Sequence, residues 1–296
     1  MSPLMKRSLH WAGSALAIAG IAFVALRLYD YGAEIDFNRF GVADWLVLFS
    51  YSLVYGLANL MLAYAWGDLL GYFSVVRTRR WVVNVYGVSQ LAKYVPGNIF
   101  HLAGRQAMGM AAGVPAWPLA KSSVWELSLI SVTGGLFGLL VLPLLMPVAV
   151  LPGIGAFTLV VGMVAAGLWR YIGPLVAQAF VWYVGFLTIS GVLFVGVLLL
   201  LVSERSIGET ALWVPLGGAY VIAWLAGLVT PGAPAGLGVR EVVLLFLLKG
   251  NIAEADLLLV VLLGRVVTVV GDFSFFLFSS FVTRYLGSVD DGKYLT

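Results

Sequence analysis

The sequence contains no cysteine and only two histidines among its 296 residues. These absences exclude a disulfide framework, a thiolate metal site and a cysteine nucleophile, and they leave little material for a histidine metal centre. Charged residues are also scarce, at 10% of the chain, against about 25% in an ordinary soluble domain. We find no Walker-type phosphate loop and no arguable Ser-His-Asp set, so the sequence predicts no cofactor, no metal and no ATP-driven activity.

Hydrophobic residues, by contrast, make up 61% of the chain, and one soluble core could not hide that much apolar surface. Since a helix needs about 20 apolar residues to cross a bilayer, the pattern predicts an all-α, polytopic membrane protein with seven or eight crossings. We treat residues 1–296 as one transmembrane domain. The predicted crossings are 9–28, 43–73, 118–145, 152–170, 175–203, 211–230 and 255–285.

Lysine and arginine in the short loops predict the orientation, because these residues favour the cytoplasmic side. They precede the first predicted crossing and follow the second and the fourth, which predicts a cytoplasmic N-terminus. Seven crossings place the C-terminus outside, and an eighth would reverse that. The net charge of +3 fits this asymmetry and anionic headgroups, so we expect no nucleic-acid partner. The residues concerned are Lys6, Arg7, Arg77, Arg79, Arg80 and Arg170.

Two stretches, 90–105 and 230–241, are too polar and too rich in proline and glycine to cross lipid as plain helices. Non-helical backbone at membrane depth survives only inside protein or beside a water-filled cavity. We therefore expect two re-entrant segments that share one cavity.

The two stretches also resemble each other. The motif LAxxVPG from residue 91 matches LAxxVTPG from residue 225, and in both the arginine lies nine positions after the proline: Pro96 to Arg105, and Pro231 to Arg240. Chance is the alternative, since Pro-Gly occurs three times in the chain.

This match predicts an internal repeat, with one unit at about 43–145 and the other at about 175–285. Four predicted crossings lie between the motifs, and that parity predicts parallel repeats. In both units the short helix is expected to end at a glycine, Gly113 or Gly250.

A helix starting after Pro96 would place Asn98, His101 and Arg105 on one face. Its free N–H groups and Arg105 would suit an anion such as a lipid phosphate. Arg240 holds the equivalent position in the second unit. Alternatively, Asn98 caps the helix and Arg105 extends to the headgroups.

Glu126, Arg265 and Asp272 lie inside predicted crossings, where an unpaired charge costs about 2.5–3.5 kcal/mol. We expect Glu126 to pair with Arg105 or Arg265, and Arg265 to pair with Asp272, two turns along the same helix. A purely structural pair is the alternative. Lys93 is expected at the membrane interface. The candidate substrate-binding residues are Lys93, Asn98, His101, Arg105, Glu126, Arg240, Glu241, Arg265 and Asp272.

The runs KYVPGNIFHLAGR at 93–105 and PAGLGVRE at 234–241 together resemble the lysylphosphatidylglycerol synthase transmembrane-region family. That family includes the flippase half of the multiple peptide resistance factor and stand-alone bacterial and archaeal relatives, some of them associated with hopanoid or polyprenyl-linked sugar pathways. The resemblance covers nearly the whole chain and implies a helical lipid flippase fold in a bacterial or archaeal cell membrane. No soluble aminoacyl-transferase domain is present, so we expect no lysylphosphatidylglycerol synthesis by the chain itself if that domain is required.

Three functions follow as hypotheses. The first is a flippase for a phosphate-bearing lipid: an anionic or aminoacylated phospholipid, or a polyprenyl-phosphate-linked sugar. The second is a membrane-embedded transferase, or its accessory subunit, acting on a polyprenyl-phosphate-linked sugar with Glu126 or Glu241 as the base. A small-solute transporter is a third. The expected partners are membrane lipids and either a separate lipid-modifying enzyme or a second copy of the chain.

Overall fold

A computed structural model describes residues 40–95, 99–201, 212–230, 234–236, 238–250, 252 and 254–286, together with Leu26 and Tyr29. The described part is 88% helical and contains no strand, which confirms the all-α class. Its helices are α1 (Val42–Tyr72), α2 (Arg79–Gln90), α3 (Phe100–Ala111), α4 (Ala116–Leu136), α5 (Gly138–Leu145), α6 (Val150–Tyr171), α7 (Pro174–Leu201), α8 (Trp213–Val229), α9 (Val239–Leu248) and α10 (Glu254–Leu286).

Five helical stretches are long and apolar enough to cross a membrane: α1, α4 with α5, α6, α7 and most of α10. Their bounds agree closely with the predicted crossings, because each follows from an uninterrupted apolar run. The predicted crossing 211–230 is α8, which has only 17 residues, and 9–28 falls outside the described residues apart from Leu26. Helix α6 is apolar along its length yet buries no residue fully, a surface that suits lipid rather than water. The chain is a multi-pass membrane protein.

Close helix crossings hold the centre of the molecule. A Cβ on Gly271 of α10 would lie 2.6 Å from the Ser52 carbonyl oxygen of α1, and one on Gly56 would lie 2.9 Å from the Gly271 carbonyl oxygen. Gly191 of α7 and Gly217 of α8 approach in the same way. Small residues permit such contacts, which are a main source of helix association in lipid.

The equivalent long helices of the two expected repeats, α1 and α7, run antiparallel. A Cβ on Gly71 near the end of α1 would contact Leu175 at the start of α7, and one on Gly196 near the end of α7 would contact Tyr51 near the start of α1. These opposite directions do not fit parallel repeats. Helix α8 follows both helices in the chain, and it ends beside the cleft described below, where Gly227 packs against Arg240.

Both broken segments contain a helix, a break and a second helix. In the first, α2 leads into a 3₁₀ turn at Leu91–Tyr94, and α3 follows. Arg77, just before α2, donates a hydrogen bond from Nη2 to the Ala112 carbonyl oxygen, just after α3, at 3.2 Å. This segment therefore begins and ends at the same end of the molecule. In the second, α8 and α9 flank a 3₁₀ turn at Pro234–Gly236, which contacts the first 3₁₀ turn.

The two short helices, α3 and α9, also end alike. Gly113 has φ +83° and Gly250 has φ +84°, the left-handed conformation that commonly terminates helices and that glycine adopts without a Cβ penalty. The prediction that both helices stop at these glycines is confirmed.

Candidate functional site

A cleft of about 610 Å³, open space at its mouth included, lies where the two broken segments meet. Glu126, on its wall, is ten residues from the start of α4, or about 15 Å along the helix at 1.5 Å per residue. His101 and Leu102 of the first segment, and Ala235 and Arg240 of the second, line the cleft, so the predicted shared cavity is confirmed for the described residues. Its remaining lining residues are Tyr55, Leu62, Tyr86, Gln90, Lys93, Leu127, Ile130, Phe186, Trp224, Gly227 and Leu228.

Arg105 of α3 and Glu126 of α4 form a buried ion pair through Nη1 and Oε2. The Arg105 side chain is 1% exposed, and its guanidinium lies 3.9 Å from the ring centre of Tyr86 and 5.2 Å from that of Trp66. Tyr86 donates a hydrogen bond to the second oxygen of Glu126 at 2.9 Å. This confirms Arg105 as the partner of Glu126, with two aromatic rings enclosing the cation.

Asp272 of α10 is fully buried and is the centre of a second cluster. It forms an ion pair with Lys93 Nζ at 2.7 Å and accepts hydrogen bonds from Tyr94 Oη at 2.6 Å and Asn59 Nδ2 at 3.3 Å. Because Lys93 and Tyr94 belong to the first 3₁₀ turn, these contacts connect that turn to the last helix.

Arg265 of α10 holds the second broken segment. Its Nε and Nη2 donate to Glu241 Oε1 at 2.9 and 2.8 Å, and its Nη1 and Nη2 donate to the carbonyl oxygens of Ala235 and Gly236 at 2.8 and 3.0 Å. A guanidinium used in this way fixes a 3₁₀ turn whose carbonyls have few other partners. Arg265 does not line the main cleft.

Arg240 is the exception among these cations. It lines the cleft and lies 5.7 Å from the ring centre of Trp224, but it has no carboxylate partner among the described residues. Its Nε is buried and donates no hydrogen bond, as is also true of Nε and Nη2 of the carboxylate-paired Arg105. Its side chain passes between two glycines, since a Cβ on Gly227 would lie 2.9 Å from Arg240 Cγ and one on Gly236 would lie 2.9 Å from Arg240 Nε.

His101 also faces the cleft, is 9% exposed, and has a buried Nδ1 with no hydrogen-bond partner in the described structure. A buried polar atom of this kind costs free energy unless water or a ligand satisfies it. Among the described lining residues, the cleft thus offers two unsatisfied polar groups, one from each broken segment: Arg240 Nε and His101 Nδ1.

Two predicted placements are wrong. Arg265 pairs with Glu241 rather than with Asp272, and Lys93 is 17% exposed in a buried ion pair rather than at the interface. The spacing along one helix suggested the first pair, but segments distant in the chain supply the actual partners. Asn98 lies outside the described residues.

Sequence reasoning missed the polar and aromatic neighbours of these charges, namely Trp66, Tyr86, Tyr94, Asn59 and Asp68. Two of them could have been found from the sequence, because Asn59 and Asp68 are polar residues inside the predicted crossing 43–73. Asp68 is buried, pairs with Arg79 at 3.0 Å and accepts a hydrogen bond from Trp182 Nε1 at 3.1 Å. The aromatic residues carried no signal that distinguished them from ordinary core.

The fold and the cleft together define a multi-pass helical membrane protein with a polar, cationic cleft. No family model matches the sequence, and neither any curated protein nor any solved structure matches it. No potential metal-binding group of three or more histidine or acidic side chains occurs among the described residues.

Proposed function

We propose that this protein is a lipid flippase, which moves a phosphate-bearing lipid between leaflets while the acyl chains stay in the bilayer. The observation that carries the proposal is the unpaired Arg240 in the cleft. The clusters around it contain four cations, of which Lys93, Arg105 and Arg265 are each paired with a carboxylate. One positive charge is left in the cleft, that of Arg240, and a phosphate would neutralise it.

The arrangement of the broken segments supports this function. We propose that both are re-entrant and enter from opposite sides of the membrane, as antiparallel α1 and α7 require of an inverted repeat. Secondary transporters often place their substrate site at such an interface, between discontinuous helices near the bilayer midplane. Counting α8 as one arm of the second re-entrant segment changes the seven predicted crossings to six and puts both termini on one side.

The distribution of exposed cations supports a cytoplasmic N-terminus. The end of α1, the start of α2, the start of α4 and the end of α6 lie at the same end of the molecule, because Arg77 contacts Ala112 and Gly173 approaches Tyr72. We assign this end to the cytoplasm by the positive-inside rule. Its basic residues are Arg77, Arg79, Arg80, Lys121 and Arg170.

The resemblance to the lysylphosphatidylglycerol synthase transmembrane-region family agrees with this proposal, and we propose membership in that family. The two runs that carry the resemblance, 93–105 and 234–241, contribute His101 and Arg240 to the cleft.

A transferase would need a carboxylate free to act as a base beside the acceptor. Both oxygens of Glu126 are engaged, by Arg105 and Tyr86. Glu241 keeps Oε2 without a partner, but Arg265 holds it through Oε1 and it does not line the cleft. These contacts favour transport over transfer.

The test is lipid movement in proteoliposomes made with an anionic fluorescent phospholipid, comparing the wild type with Arg240→Gln. Losing a charge-assisted contact of about 1.5–3 kcal/mol should weaken binding roughly 10- to 150-fold, and flipping at low lipid content should slow accordingly. Arg170→Gln is the matched control, because Arg170 is exposed on the last turn of α6, outside the cleft.

Wild-type protein that is folded and reconstituted but moves no lipid would exclude the proposed function. A chemically altered lipid recovered from the vesicles would instead support the transferase hypothesis.

A further inference from the structure

We infer that the headgroup taken by this cleft is a phosphate diester with a single negative charge and an uncharged, hydroxyl-bearing remainder, such as glycerol or a neutral sugar. The inference rests on the proposed function and narrows it. Headgroups that carry an amine, including aminoacylated and ethanolamine headgroups, are expected to be rejected.

A bound headgroup would meet the charges of the residues that line the cleft. The ionisable residues lining the cleft are Lys93, Glu126, Arg240 and His101, together with the tyrosines. Glu126 already balances Arg105, and Asp272, behind the lining, already balances Lys93. The remaining charge is that of Arg240, so the described cleft has a capacity for one negative charge.

An amine would find no free carboxylate among the described lining residues. An ammonium group needs acceptors and a negative charge at close range once it leaves water. In the described lining the only carboxylate is Glu126, and both of its oxygens already accept hydrogen bonds. An amine in this cleft would compete with Arg105 for Glu126 and would be repelled by Arg240, a form of specificity achieved by rejection.

The remaining residues of the two broken segments add no charge to this balance. The sequence at 96–98 is Pro-Gly-Asn, at 231–233 it is Pro-Gly-Ala, and residue 237 is leucine. None of these side chains ionises, so they add no carboxylate to either segment.

The neutral part of the headgroup would meet uncharged polar groups of the cleft lining. His101 Nδ1 is buried without a partner, and Gln90, Tyr55 and Trp224 share the same lining. Imidazole, amide and phenol groups exchange hydrogen bonds with hydroxyls without needing a charge. We therefore assign Arg240 to the phosphate and His101 to a hydroxyl of the headgroup.

The experiment measures thermal stabilisation of the purified full-length chain in detergent by short-chain lipids that differ only in headgroup. The series comprises phosphatidylglycerol, phosphatidylethanolamine and lysyl-phosphatidylglycerol, with glycerol phosphate and inorganic phosphate as soluble arms. We expect phosphatidylglycerol to bind about tenfold or more tightly than either amine-bearing lipid. The preference should disappear in Arg240→Gln and persist in Arg170→Gln.

Equal or tighter binding of the amine-bearing lipids would overturn the inference and leave the proposed flippase standing, since flipping is measured separately in vesicles. Soluble phosphates that stabilise as well as the lipid would show that no lipid is recognised, and would also overturn it. His101→Asn, which keeps a hydrogen-bonding group, should weaken phosphatidylglycerol binding less than His101→Leu. Equal weakening by both would remove His101 from the assignment.

Discussion

The buried pair between Arg105 and Glu126 makes a sharp prediction for Glu126→Gln. The glutamine keeps the shape and can still accept the hydrogen bond from Tyr86, but it removes the only carboxylate that balances Arg105, whose side chain is 1% exposed. Leaving one partner of a buried pair uncompensated costs about 3–5 kcal/mol. At roughly 2–4 °C per kcal/mol for a chain of this order of size, the melting temperature should fall by roughly 6–20 °C.

A second substitution, Arg105→Met, should restore part of the stability that Glu126→Gln removes. In the double variant Arg105→Met with Glu126→Gln, no buried charge remains, and replacing an ion pair by apolar groups of similar volume is often neutral. Methionine also packs well against aromatic rings such as those of Trp66 and Tyr86. The double variant should therefore melt several degrees above Glu126→Gln alone.

The measurement is thermal unfolding in one detergent, with Arg170→Gln as a control that changes the charge on an exposed position. If Glu126→Gln has the same melting temperature as the wild type, the pair of Arg105 and Glu126 contributes no stability, and the buried position of Glu126 is refuted. If the double variant melts below the single one, shape rather than charge explains the loss.

Two further predictions concern glycines. Gly271→Ala should destabilise the protein by about 1–3 kcal/mol through overpacking, because its Cβ would lie 2.6 Å from the Ser52 carbonyl oxygen. Gly264→Ala on the same helix meets nothing within 4 Å and should be close to neutral in the same melting assay. Equal melting temperatures of the two variants would contradict the close crossing of α1 and α10. Gly113→Ala should destabilise the protein by about 1–2 kcal/mol although nothing lies within 4 Å of the added Cβ, because φ is +83° and that conformation is strained for L side chains. The control Gly135→Ala is also in open space but lies within α4, so it should cost no stability. Equal melting temperatures of the Gly113→Ala and Gly135→Ala variants would show that the backbone at residue 113 is not left-handed.

The positions of the membrane-spanning helices followed from the sequence because they depend on local composition. The run 43–73 was expected as a crossing and is the helix Val42–Tyr72, and 152–170 is Val150–Tyr171. An apolar run of this length has no stable alternative in lipid, where every backbone N–H and C=O must be paired within the segment. The glycine ends of α3 and α9 were predictable for a similar reason, since a positive φ favours one residue type.

The candidate site was predictable only as a set of residues. Intramembrane charge marked Arg105, Glu126 and Asp272 as important, because such charges are costly in lipid. The sequence could not predict which of them pair. Asp272 accepts a hydrogen bond from Tyr94, 178 residues away in the chain, whereas Arg265, the partner suggested by helical spacing, pairs with Glu241.

The relative direction of the two expected repeats also depended on contacts between segments that are distant in the chain. The sequence counted α8 as a crossing because its 17 residues are apolar, and that count predicted parallel repeats. Only the contacts of Gly71 with Leu175 and of Gly196 with Tyr51 show that α1 and α7 run in opposite directions. Apolar length determines whether a segment enters the membrane, but contacts between segments determine how far it goes and which charges it meets there.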